Sequence, residues 1–290
     1  MIAFIDCNNL AHRAYHTTGD LSHGGNPTGV IFGFFNQVFN FVRKHPGCEL
    51  VFCWDSQKSL RKEFYPDYKK RRVPITPQEI ETRAELYAQL DTLRAEVLPA
   101  LGWGSCVWHR EGYEADDLIA WGVYAAWDRH VYMVTGDQDL YQALEDGGTT
   151  AAVIYSPSSH DIYSERDFRA EYKVTPEQWP MVKAIAGCSS DNVEGVKGVG
   201  ESTAIKYING TLKPSTQAYK AIVQAKSAGL TERNLRLVKL PYGEDWDNEA
   251  PLELPTVQLK KAAFAEVFEK YEMKSLTKRM GELSINLSLA

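Results

Sequence analysis

Ile2-Ala3-Phe4-Ile5-Asp6 is an unbroken apolar run that stops on a carboxylate, and the rest of the chain repeats its pattern. A strand buried on both faces reads as a continuous hydrophobic run, the mark of a parallel sheet covered by helices. The pattern returns twice. Leu50-Val51-Phe52-Cys53-Trp54 runs into Asp55, and Val131-Tyr132-Met133-Val134-Thr135 runs into Gly136, Asp137, Gln138 and Asp139. In open α/β sheets ligands collect outside the carboxyl ends of the strands, so acids on separate strand ends can meet although they lie far apart in sequence. Glu114-Ala115-Asp116-Asp117 opens an apolar helix and adds three more carboxylates.

Outward from these strands, residues 1 to about 175 alternate apolar runs with helical stretches, the rhythm of βα units and a largely parallel sheet. A polar loop from His23 to Thr28 leads into an aromatic-rich helix over Phe32 to Val42, whose rings belong in a core. Thr76-Pro77-Gln78-Glu79 has a cap, a proline at the first helical position and the acid of a capping box. A long helix follows, with Leu86, Leu90, Leu93 and Val97 as its buried stripe and Pro99 and Gly102 at its end. Beyond about residue 175 helical patterns dominate, starting at Thr175-Pro176-Glu177 and again at Glu201 to Ile208. Pro241-Tyr242-Gly243-Glu244-Asp245 reads as a surface loop, and the last forty residues give no clear signal.

The 290 residues suit one large domain plus a smaller one, or two modest domains. A hydrophobic content of 44% and a charged content of 24% are those of a soluble globular protein, with no run near the ~20 apolar residues of a membrane span. The start lacks a basic n-region and turns acidic at once, so a cytoplasmic location is expected. Cys7, Cys48, Cys53, Cys106 and Cys188 are odd in number and lack CxxC spacing, which indicates neither a disulfide framework nor a zinc site.

Any single Asp is more often a cap or a solvated charge than a ligand. Gathered carboxylates differ, because two unit charges about 4 Å apart repel by roughly 4 kcal/mol at an effective dielectric near 20. Such a cluster needs cations or protons, and an oxygen-only donor set favours Mg²⁺ or Mn²⁺. A phosphatase, a nuclease, a polymerase or a nucleotide-activating enzyme could use it. Although the formal net charge is -6, Lys58, Arg61, Lys62, Lys69, Lys70, Arg71 and Arg72 follow Asp55 closely, against only Glu63 and Asp67. That basic run favours a polyanionic, polymeric phosphate, unless it is a solvated helix face. Gly195-Val196-Lys197-Gly198-Val199-Gly200-Glu201-Ser202 places three glycines before a helix, where exposed amides and the helix N-terminus can grip a phosphodiester backbone; a plain helical hairpin is the alternative.

In order and spacing, these segments resemble the 5′ nuclease family of flap endonucleases, phage 5′-3′ exonucleases and the 5′ nuclease domain of bacterial DNA polymerase I. The matching stretches are Ile5 to Leu10 with Arg13, Trp54-Asp55, Tyr68 to Arg72, Gly112 to Asp117, Thr135 to Leu140, and Asp191-Asn192 with the glycine hairpin. The resemblance implies a PIN-like α/β domain over 1–175 with a mostly parallel sheet flanked by helices and a helical arch at about 58–98. It implies a helical duplex-binding domain over 176–290 carrying a helix-three-turn-helix motif, with K⁺ at the glycine hairpin.

Asp6, Asp55, Glu114, Asp116, Asp117, Asp137, Asp139 and Asp191 are then expected to bind two Mg²⁺ or Mn²⁺ ions, directly or through water. Lys69 and Arg72 would contact the scissile phosphate from the arch base, with Arg13, Arg61 and Lys70 as DNA contacts and Tyr68 stacked on an unpaired base. Lys197, Gly198, Gly200 and Ser202 would hold the duplex. The implied activity is metal-assisted phosphodiester hydrolysis in replication, by a monomer acting on 5′ flaps, free 5′ ends, junctions or RNA–DNA hybrids. One departure matters. Where the family has Gly-Asp-x-x-Asp-Asn, this chain reads Gly187-Cys188-Ser189-Ser190-Asp191-Asn192, so the second ion is expected to bind weakly or to be Mn²⁺. A non-catalytic DNA-structure-binding protein and a single-strand ribonuclease of PIN type are the rival readings.

Overall fold

The computed structural model describes residues 1–23, 26–70, 76–243 and 254–290. Its centre is a six-stranded sheet in the order β5-β4-β1-β6-β7-β8, built from β1 (Ile2–Asp6), β4 (Glu49–Trp54), β5 (Val107–His109), β6 (Val131–Val134), β7 (Ala152–Tyr155) and β8 (Ile162–Tyr163). Every pairing is parallel except that of β8 with β7. The chain builds outward from β1 through β4 to β5, then crosses to β6 on the other side. The crevice at the carboxyl ends of β1 and β6 is therefore the topological switch point. Ile5 pairs with Phe52 on one side and Val134 on the other, which sets Asp6, Asp55 and Thr135 along one edge.

Helices cover both faces. On one lie α1 (Cys7–Thr18), α2 (Gly29–Lys44) and α4 (Pro77–Thr92), with the two-residue strands β2 (Ser22–His23) and β3 (Asn26–Pro27) between the first two. Phe34, Phe35, Phe39 and Phe41 of α2 are all fully buried, as their crowding in sequence suggests. The capping box at Thr76 and Glu79 forms, and α4 runs on through a π-helical turn, Leu93–Val97, into α5 (Leu98–Ala100). The opposite face carries α6 (Ala115–Ala125), whose Leu118 and Ile119 are fully buried. The short helix α3 (Leu60–Phe64) follows β4.

The helical part begins with α7 (Glu165–Tyr172) and α8 (Trp179–Ala186). The ladder of β9 (Gly187–Cys188) with β10 (Val193–Glu194) follows, then α9 (Glu201–Ile208), α10 (Gln217–Ser227) and α11 (Leu230–Val238). Gly187 has φ +85°, and a Cβ there would meet the Gly195 nitrogen at 2.4 Å, so only glycine lets the two arms of the hairpin touch.

Two expectations change. Helices α12 (Lys261–Lys270), α13 (Lys274–Lys278) and α14 (Met280–Asn286) are not part of a separate second domain: Phe264, Phe268, Leu276 and Leu283 join the core beneath α2. Tyr242 is no surface residue, being 5% exposed with its ring 4.8 Å from the Arg61 guanidinium, while Glu244 and Asp245 lie outside the described residues. No described helix is long and apolar enough to cross a membrane.

Candidate metal centre and nucleic-acid face

Asp6 closes β1 at 4% exposure and is aimed by two bonds: one carboxylate oxygen accepts the Asn9 amide at 3.0 Å, the other the Thr135 hydroxyl at 2.8 Å. Asp55, one residue past β4, donates its amide to Asn8 at 3.1 Å, and its carboxylate accepts the Ala115 amide at 2.8 Å. That second bond ties the end of β4 to the first turn of α6, where Asp116 stands half-buried in the favourable field of a helix N-terminus. Asp137 follows β6, donates its amide to the Thr135 hydroxyl at 3.0 Å and accepts the Asp139 amide at 2.9 Å.

These four carboxyls act on one another. Burial pushes Asp6 up to about 7, and Asp55 and Asp137 add to the rise. Burial, then Asp137, Asp6 and Asp55, hold Asp116 well above the usual carboxylate range, and Asp55 is raised by burial and Glu114. Burial is the larger cause and repulsion adds to it, so protons or a cation must supply the missing positive charge. The donors are carboxylate oxygens, so Asp6, Asp55, Asp116 and Asp137 suit a hard divalent ion such as Mg²⁺ or Mn²⁺.

Glu114 is committed differently. Lys69 Nζ lies 2.9 Å from its carboxylate, the Tyr68 hydroxyl donates to it at 3.0 Å, and Arg61 is 3.6 Å away. Burial opposes its ionisation, but Lys69 and Arg61 outweigh burial and lower its pKa. Lys69 in turn is raised, because Glu114, Asp191, Asp55 and Asp116 overcome its own desolvation. It is a cation fixed at the mouth of an acidic crevice.

Three expected roles do not survive. Arg61 is 2% exposed and forks onto Asp117 at 2.6 and 2.7 Å while donating to the Leu237 carbonyl at 2.8 Å, so no DNA phosphate can reach it. Asp117 is fully buried and also accepts the Glu114 and Tyr242 amides, which leaves it a structural anion and not a metal ligand. Tyr68 is 2% exposed, with its hydroxyl on Glu114 and, at 3.4 Å, on Asp191, so its ring is not open to a base. Arg72 lies outside the described residues.

Asp139, Cys188 and Asp191 form a second group, with ligand atoms all within 4.8 Å of one another. Burial and then Asp137 push Asp139 up to about 6, against Lys183 at 3.7 Å. The loop carrying Cys188 and Asp191 is fastened to the Asp67–Lys69 turn. The Lys69 amide donates to the Asp191 carbonyl at 2.8 Å, and the Asn192 side chain donates to the Asp67 carbonyl at 2.8 Å. Asn234, fully buried, donates to the Ala184 and Glu194 carbonyls at 2.9 and 2.8 Å and holds the hairpin from behind.

Arg13 on α1 is exposed, and exposed Lys70 pairs with Asp67 at 2.8 Å. Lys197, Gly198, Gly200 and Ser202 are exposed together where the hairpin enters α9, with Gly198 at φ +77°. Sequence reasoning assigned no role to Thr135, Asn8, Asn9, Lys183, Asn192 or Asn234. The asparagines after Asp6 and the threonine before Gly136-Asp137 sit inside the acidic motifs, a position that could have marked them as positioning groups. Nothing near Lys183 or Asn234 in sequence singles them out.

The family described as "5'-3' exonuclease, N-terminal resolvase-like domain" matches residues 1–173. DNA polymerase I of Mycobacterium leprae is 35% identical over 214 residues, 72% of this chain and 22% of that polymerase. A 5'-3' exonuclease of Bacillus subtilis is 33% identical over 220 residues, 71% of this chain and 69% of that protein. The chain spans between 22% and 33% of the length of the polymerases it matches. Among solved structures, the flap endonuclease of bacteriophage T5, in a pseudo-enzyme-product complex with DNA and metal ions, superposes with a TM-score of 0.66. It shares 21% identity, with 98% of each chain covered.

Proposed function

The chain belongs to the 5′-3′ exonuclease family, and from that premise we propose that it is a divalent-metal-dependent 5′ nuclease hydrolysing DNA phosphodiesters at 5′ flaps, free 5′ ends and duplex–single-strand junctions. The observation that carries this reading is the gathering of Asp6, Asp55, Asp116 and Asp137 at adjoining strand ends and the first turn of α6, tied by the Thr135 hydroxyl and the Ala115 amide, where burial and added repulsion call for positive charge. A hard cation held there, directly or through water, supplies Lewis acidity toward a phosphoryl oxygen and makes a water more acidic. Asn9 and Thr135 orient the Asp6 carboxylate, and the Ala115 amide orients that of Asp55. Lys69, ionised and held by Glu114, offsets charge growing on the equatorial oxygens, with Arg72 assigned the same task.

Arg13, Lys70, Lys197, Ser202 and the amides around Gly198 and Gly200 would meet phosphates and not base edges, so selectivity follows the shape of the DNA. The duplex grip is a helix-three-turn-helix over α8 to α9 with a K⁺ ion at the hairpin. The second divalent position, at Asp139, Cys188 and Asp191, is weaker for Mg²⁺ than for Mn²⁺. A cytoplasmic monomer acting in replication, on RNA–DNA hybrids as well as DNA, completes the proposal.

Cleavage-site mapping on a 5′-flap duplex tests it, with Mg²⁺, then Mn²⁺, and EDTA as control. Products bearing a 5′-phosphate, cut near the junction with little sequence preference, are expected, and none in EDTA. Asp137→Asn should lower the rate by about 100-fold or more, since even groups behind a metal ligand are commonly worth 10–100-fold. Binding of the flap duplex by wild type with no cleavage in either metal would favour a non-catalytic DNA-structure-binding protein, and an unchanged rate in Asp137→Asn would remove Asp137 from the metal centre.

A further inference from the structure

Building on that reading, we propose that the group Asp139, Cys188 and Asp191 is a thiophilic cation site, which selects Co²⁺, Zn²⁺ or Cd²⁺ over Mg²⁺ through the sulfur of Cys188. The two metal-binding groups of the crevice differ in donor chemistry. Asp6, Asp55, Asp116 and Asp137 offer oxygen alone, whereas the second group offers two carboxylates and a thiol, all within 4.8 Å. Mg²⁺ demands near-octahedral oxygen coordination and gains little from sulfur, while Zn²⁺ and its soft relatives bind thiolate at about 2.3 Å.

The backbone fixes the thiol in place. Cys188 pairs with Val193 across the β9–β10 ladder and is 7% exposed, and its sulfur lies 3.0 Å from the Ser190 hydroxyl. The tight turn from Cys188 to Asp191, closed by the Asp191 amide on the Cys188 carbonyl at 3.3 Å, brings sulfur and carboxylate to the same side as Asp139. Three protein ligands leave further positions open, the arrangement of a site that also takes water or substrate oxygen. On binding, the thiol proton leaves to solvent and the sulfur becomes a ligand. Lys183, 3.7 Å from Asp139 and 3.2 Å from Glu201, has an alternative partner when a cation takes the Asp139 oxygen.

The test is optical and does not depend on nuclease activity. Co²⁺ is titrated into the metal-free full-length protein while the near-ultraviolet thiolate-to-cobalt charge-transfer band is followed. Wild type should develop the band, Zn²⁺ should bleach it near one equivalent, and Mg²⁺ should need more than about a 100-fold excess. Cys188→Ser should lose the band although the other four cysteines remain, and Cys188→Asp should bind Co²⁺ without it and Mg²⁺ more tightly than wild type. Asp139→Asn, which keeps the sulfur, should retain the band at saturation but need about tenfold more Co²⁺. That arm decides the matter if either Cys188 variant fails to fold. Co²⁺ binding without the band in wild type, an unchanged band in Cys188→Ser, or an unshifted titration in Asp139→Asn each overturns the proposal. Flap cleavage in Mg²⁺ is read separately, so loss of that activity with the band intact would refute the nuclease reading and leave this one standing.

Discussion

Arg61 follows Asp55 closely and belongs to a basic run, yet its guanidinium is spent on Asp117 and two carbonyls inside the protein. Removing one partner of a buried pair leaves an uncompensated charge, which commonly costs about 3–5 kcal/mol. Arg61→Ala should therefore lower stability by that order in denaturant unfolding while the salt dependence of duplex binding stays as in wild type; a stable variant with a shallower salt slope would return Arg61 to the DNA-binding face. Asp6 yields a prediction in the opposite direction of charge. In EDTA its folded carboxyl, pushed up to about 7, holds a proton more tightly than an unfolded one at 3.8. Its contribution is thus fully present below the unfolded value and is lost as pH rises through the folded one. The melting temperature of metal-free protein should fall between about pH 4 and about pH 7, with a shallower slope in Asp6→Asn and in the presence of Mg²⁺.

Helix α4 packs against α1 and α2, the hairpin after α8 carries the second acidic group, and each depends on a few local bonds. The start of α4 rests on Thr76, whose hydroxyl accepts the Glu79 amide at 3.2 Å while the Glu79 carboxylate accepts the Thr76 amide at 2.8 Å. Thr76→Ala should destabilise that helix start by about 1 kcal/mol, seen as faster amide exchange in its first turns with the sheet amides unaffected. Uniform acceleration across the molecule would show that the cap acts globally. The Asp67–Lys69 turn and the loop of the second acidic group are fastened to each other by the Lys69 amide on the Asp191 carbonyl and by the Asn192 side chain on the Asp67 carbonyl. Caps and stripes of this kind are legible because the partners sit three or four residues apart. The two-residue strands β9 and β10 are not, since a pair so short leaves no periodicity to read.

At the scale of the molecule, the C-terminal helices close the core of the α/β sheet. Phe268 is fully buried, with its ring centroid 5.9 Å from that of Phe39 on α2. Truncating a buried phenylalanine commonly costs about 3–5 kcal/mol, so Phe268→Ala should lower the unfolding transition of the α/β sheet itself. If the sheet kept its wild-type transition while a separate C-terminal step was lost, the segment would be an independent unit. The six-stranded sheet places its switch point where β1 and β6 end, and the acids of both edges converge there because parallel strands all point their carboxyl ends the same way.

By itself the sequence determined the βα rhythm, the strand ends on which Asp6, Asp55 and Asp137 sit, the capped start of α4 and the odd thiol at Cys188. Each is written in neighbouring residues, through apolar runs, turn chemistry and helix spacing. Only the tertiary structure decided which charges face the crevice. Arg61 finds Asp117 at a separation of 56 residues, Tyr68 finds Glu114 at 46, and Phe268 finds α2 from the far end of the chain. A side chain's role as ligand, clamp or core anion depends on who shares its volume, and that volume exists only once the sheet has closed.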